Sequence, residues 1–193
     1  IVPVRHVAFP NRQLRQAGLL NVRTGDGGEQ LDLETSAAWA LVDHQVAHVF
    51  VRRESDVGRV VDCLRDTDGI EEILVGKQRN RYGLDHPRSG EVVLISAPHS
   101  WQAYYWWLDD ALAPEFARTV DIHRKPGYDP VELHFDPATR SIPLDADLVC
   151  GSHGAPVHDA EQRGTILSSQ TGVLGPAPLR DIDVASVLLR QFR

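Results

Sequence analysis

Three short stretches of the chain carry residue types that do chemistry together. Asp43-His44 follows Ala37–Val42, an apolar run that reads as a buried strand. His48 stands four residues beyond His44, a spacing that shares a face in a strand as in a helix. Gly151-Ser152-His153-Gly154 sets an imidazole between small residues just after the strand-like Leu148–Cys150. A loop of that composition lets backbone approach closely. Carboxylate and imidazole are the donors that a borderline divalent ion such as zinc accepts. Strand ends are also where α/β sheets gather ligand sites. Taken singly, each stretch has a plainer reading. Asp43-His44 would be a surface or cap feature, His48 a hydrogen-bonded core histidine, and Gly151–Gly154 a simple turn.

Other groups stand beside these. His123-Arg124-Lys125 is a compact basic cluster; Arg124 would offer a substrate phosphate a bidentate fork, and a solvated loop explains the cluster equally well. Trp101, Tyr104, Tyr105, Trp106 and Trp107 would stack on a nucleobase or pack a core, and core packing is the reading adopted. Asp85-His86 echoes the first pair, but Pro87 follows it in a turn-rich stretch, and it reads as structural.

The elements that must position these residues alternate. Val2–Ala8 reads as a strand, Asn11–Ala17 as a short helix stopped by Gly18, and residues 19–33 as a hairpin around a Gly-rich turn. Val46–Arg52 is a second strand after Ala37–Val42. Helical spacing of Val57, Val60, Val61 and Leu64 predicts a helix within Glu54–Asp66, followed by strands at Ile70–Val75 and Val92–Ala97. Ile182, Val184, Val187, Leu188 and Phe192 predict a terminal amphipathic helix that packs on the sheet. Strand and helix in alternation predict an α/β layered fold: a largely parallel or mixed sheet flanked by helices, one domain over residues 1–193 with an inserted subregion at roughly 54–147.

Composition bounds the function. The chain has 193 residues, 42% hydrophobic and 24% charged, values of an ordinary globular protein. A net charge of −7 argues against a nucleic-acid polymer as partner, because phosphate backbones select for excess Lys and Arg. The apolar runs are strand-sized, too short to cross a bilayer, so no membrane partner is expected. Cys63 and Cys150 are too few for a disulfide scaffold and read as two separate buried thiols. No signal peptide is visible, which favours the cytoplasm. The chain starts Ile-Val-Pro-Val and contains no Met, so a fragment, a processed chain or a truncation is expected.

Asp-His after a strand, with Gly-X-His-Gly far downstream, resembles the alkaline phosphatase superfamily, most closely its type I phosphodiesterase and nucleotide pyrophosphatase branch. The text around Asp43–His48 and His123–Pro130 is similar to bacterial members of that branch. The resemblance implies the C-terminal part of an alkaline-phosphatase-like catalytic domain and two zinc ions, with Asp43 and His44 on one and His153 on the other. It implies hydrolysis of a phosphorylated small molecule or nucleotide by a two-metal mechanism. His48, His123, Arg124 and Lys125 would support the ligands or the substrate. Gln45 departs from the family's Gly after Asp-His. The family's Thr or Ser nucleophile and its Asp-X-X-X-His ligands lie upstream of the Asp-His pair. Thr24, Thr35 and Ser36 are the hydroxyls in the 42 residues before Asp43, and none has that context. The nucleophile is therefore expected outside this chain, on a missing N-terminal part or another subunit, and the chain alone is expected to be inactive. Two alternatives stand beside this reading. One is a non-catalytic α/β binding or assembly module that keeps remnants of a metal site. The other is a self-contained mononuclear metallohydrolase on Asp43, His44, His48 and His153.

Overall fold

Alternating apolar residues from Ala38 to Val51 build the centre of the molecule. In the computed structural model, which describes residues 1–119, 134–157 and 159–192, the first half runs β1 (Val2–Pro3), β2 (His6–Ala8), α1 (Pro10–Gln16), β3 (Val22–Gly25), β4 (Gly28–Leu31), β5 (Ala38–Asp43) and β6 (Val46–Val51). It continues with α2 (Val57–Leu64), β7 (Ile70–Val75), β8 (Val92–Ser96), β9 (Ser100–Gln102), α3 (Phe116–Thr119), β10 (Gly151–Ser152) and α4 (Asp181–Leu189). Two compact units divide the chain, Ile1–Pro156 and Val157–Arg193. The fold is mixed α/β. Among the described residues no helix is long and apolar enough to cross a membrane.

The main sheet has four strands in the order β5-β6-β8-β7, and every pairing in it is antiparallel. This corrects the expected parallel or mixed sheet. Strand, helix and strand do make a crossover from β6 through α2 to β7, but β8 slots between the two strands and runs antiparallel to both. Parallel pairing is confined among the described strands to the small β2–β9 ladder. The stretch Leu148–Cys150 is no strand; a 3₁₀ turn at Ala146–Leu148 leads into β10, which pairs with β1.

The two faces of the sheet differ. Ala38, Ala40, Ala47, Val49, Val51, Val92 and Leu94 turn to one side, where they bury against Leu14 of α1, Val60 and Leu64 of α2, and Trp106 and Trp107. Trp106 and Trp107 are thus core, as read from the sequence, with Tyr105 packed against them and stacked on Trp107 at 4.3 Å between ring centroids; Tyr104 is exposed, and Trp101 lies outside this cluster. The other face holds a smaller cluster of Leu74, Val93 and Ile95, packed with Val46, Tyr82 and Leu84. The edge strand β5 is covered by side-chain chemistry. Buried Asn11 donates from Nδ2 to Ala40 O at 2.9 Å and accepts from Ala40 N at 2.8 Å, as a neighbouring strand would. Both cysteines are free; Cys63 is half-buried, but Cys150 is exposed, not buried as expected.

Candidate functional site

Asp43 ends β5 and faces Val46, the first residue of β6. His44 and Gln45 are therefore the two central residues of a tight hairpin, not the end of a strand opening onto a crevice. Two-residue connections join antiparallel neighbours only, and they favour a positive φ at the first central position or at both. His44 adopts φ 55, in the region that a residue other than glycine enters at a cost. The turn is anchored by its backbone: His44 O accepts from Gln102 N at 2.7 Å, and Gln45 O from Ser96 N at 2.9 Å.

The Gly-Ser-His-Gly loop meets this turn. Val4 N donates to Cys150 O at 3.0 Å, and Ser152 pairs with Val2, which sets the start of the loop. Gly154 takes φ 108, a conformation reserved for glycine, and passes so near the hairpin that a Cβ there would lie 3.6 Å from both Asp43 O and Gln45 N. Gln45 N donates to His153 O at 3.0 Å. In consequence the rings of His44 and His153 sit 4.3 Å apart between centroids, with planes 40° from each other. His44 is half-buried; His153 and Asp43 are exposed.

His48 is placed elsewhere in the sheet. It lies on β6 opposite Leu41 and Val93, and its Nδ1 accepts from Gly90 N at 3.2 Å. Burial first, then the charge of Arg79, hold its pKa below the ordinary histidine value, while the carboxylate of Asp43 pulls the other way. It is a hydrogen-bonded strand histidine, the plainer of its two sequence readings. His123, Arg124 and Lys125 lie outside the described residues. Thr24 belongs to β3, and the Ser36 hydroxyl is buried and donates to Asp32 O at 2.7 Å.

Two imidazoles in one place and a carboxylate on the same turn are the donor types zinc takes, short of the four that close a tetrahedral site. Among the described residues no group of three or more His, Cys, Asp and Glu side chains is placed to hold an ion. The donors present fit part of a metal centre, not a whole one. Around the turn lies a set of buried polar residues that hydrophobic patterning does not reveal: Gln45, Ser96, Ser100 and Gln102. The sole hint in the sequence is Gln45 itself, an amide where a turn glycine is expected. No family model, no curated protein and no solved structure matches the chain.

Proposed function

We propose that the chain carries part of the active site of a metal-dependent phosphoester hydrolase, of the type I phosphodiesterase and nucleotide pyrophosphatase kind that its motifs resemble. The observation in its favour is the meeting of His44 and His153, which come from distant parts of the sequence and face each other at 4.3 Å. His153 would present one imidazole from a glycine-flanked loop, and His44 a second from a strained turn. Asp43 adds a carboxylate at the mouth of the same hairpin. When bound, divalent ions, zinc by the resemblance, supply charge neutralisation for the phosphoryl oxygens and acidify the nucleophile. The nucleophile and the remaining ligands come from sequence outside this chain or from another subunit, and the substrate is a phosphorylated small molecule or nucleotide.

Zinc titration followed by NMR of the histidine rings tests this reading. Weak binding that perturbs His44 and His153 together, and is lost in His153→Ala, is the expected result. Rings that ignore zinc at millimolar concentration overturn the metal site. Hydrolysis of bis-p-nitrophenyl phosphate is expected only once the missing ligands are supplied, and its survival in His153→Ala would likewise overturn the proposal.

A second reading, a binding or assembly module without catalysis, draws on one observation. The backbone of both motifs is spent on the fold, with His44 O bonded to Gln102 N and His153 O to Gln45 N. It separates from the first by requiring no zinc response.

A further inference from the structure

Gln45 joins four segments at the point where the two histidines meet. Its backbone N–H donates to His153 O at 3.0 Å, and its backbone carbonyl accepts from Ser96 N at 2.9 Å. Its side chain, with the residue only 1% exposed, donates from Nε2 to Ser100 O at 3.0 Å. Oε1 of the same amide faces the Ala155 N–H across a longer 3.5 Å. The residues on either side of Gly154 are thus both held by Gln45, His153 through its backbone and Ala155 through its side chain. Past Ser152 the loop has no ladder of its own, since β10 ends there.

We infer that Gln45 is a positioning residue, which fixes the Gly-Ser-His-Gly loop so that the His153 ring stands against His44. The chemistry explains the residue type. The position needs a donor toward Ser100 O and an acceptor toward Ala155 N on one planar group, with a stem long enough to reach both. An ionised Glu offers acceptors alone, and Asn is one methylene short. A glycine, the residue the resembling family carries here, would suit the turn and keep the backbone bond to His153 O, but would hold neither Ser100 nor Ala155. The inference deepens the proposed metal site and rests on it only for its bearing on turnover.

The test reads the ring geometry directly, through nuclear Overhauser effects between ring protons of His44 and His153. Gln45→Met keeps the volume and removes both polar atoms. Because the backbone bond to His153 O survives, the ring-to-ring effect is expected to fall several-fold in Gln45→Met while the backbone spectrum stays dispersed; an effect of wild-type strength overturns the role assigned to the Gln45 side chain. Should Gln45→Met fail to fold, the wild-type side-chain amide decides. Slow hydrogen exchange of the Gln45 amide protons supports the clamp, and exchange as fast as that of exposed Gln170 overturns it. The two readings fail separately. Rings that separate in Gln45→Met, with no zinc response in any variant including wild type, uphold the clamp and overturn the metal site. Rings that stay together in Gln45→Met, with a wild-type zinc response that His153→Ala abolishes, do the reverse.

Discussion

His44 is the residue at which conformation and chemistry pull in different directions. A non-glycine residue at φ 55 costs about 1–2 kcal/mol relative to ordinary backbone, and strain of this kind persists where surrounding contacts overdetermine it. His44→Gly is therefore expected to hold or raise stability, by up to about 1 kcal/mol, in thermal unfolding, while abolishing the response of His153 to zinc. A loss of stability with the zinc response intact would make His44 a packing residue. His48 gives a pH prediction with a definite sign. Its pKa lies below the ordinary 6.5 because burial and Arg79 disfavour the imidazolium. The unfolded chain therefore binds the proton first as pH falls. Its contribution to stability is complete above about pH 6.5 and is lost below it, toward the folded pKa. NMR titration should show the His48 pKa rise in Arg79→Gln and fall further in Asp43→Asn, and the opposite movements would refute the assignment of causes.

At the scale of elements, the edge of β5 is held by a backbone bond from Ala38 N to Leu19 O at 3.0 Å and, at Ala40, by one side chain. Asn11 supplies both a donor and an acceptor to Ala40 and a further donor to Tyr104 O at 3.1 Å. Asn11→Ala leaves a buried N–H and a buried C=O of the edge strand without partners, an expected loss of about 2–4 kcal/mol measured by urea unfolding. A loss under about 0.5 kcal/mol would mean that water replaces the amide at no cost. The elements themselves were largely legible. The run of Val and Ala through Val46–Val51, and the helical spacing of Val57, Val60 and Leu64, announce β6 and α2 because burial on one face imposes those periods. Topology was not legible in the same way. A strand–helix–strand order looks the same whether β8 stays outside the crossover or enters it, since hydrogen-bond direction leaves no trace in side-chain pattern. The candidate site was half legible: His44 and His153 stood out as residue types, but their meeting depends on backbone and side-chain bonds of Gln45 to partners distant in sequence, which no local pattern encodes.

At the scale of the whole molecule, exposed apolar surface is the feature that demands a consequence. Single apolar side chains on a surface are ordinary, and contiguous ones mark contact sites. On α4 and the 3₁₀ turn after it, Ile182 is 75% exposed, Leu189 64% and Phe192 87%. Their spacings of seven and ten residues place them on one side of a helix, and Leu188, 57% exposed, borders the same stripe. In water such a stripe gains by being covered, and the metal centre proposed above would independently draw its remaining ligands from elsewhere. The chain is thus expected to associate, with a second copy in isolation or with the partner that the proposed site would need. Sedimentation velocity over a hundredfold range of concentration should show a rising weight-average mass. Leu189→Gln with Phe192→Gln should weaken that association at least tenfold without lowering the melting temperature of the remaining fold. A chain that stays monomeric across the range would show that the stripe is tolerated in solvent, and would leave the remaining ligands of the proposed metal centre as the sole reason to look for a partner.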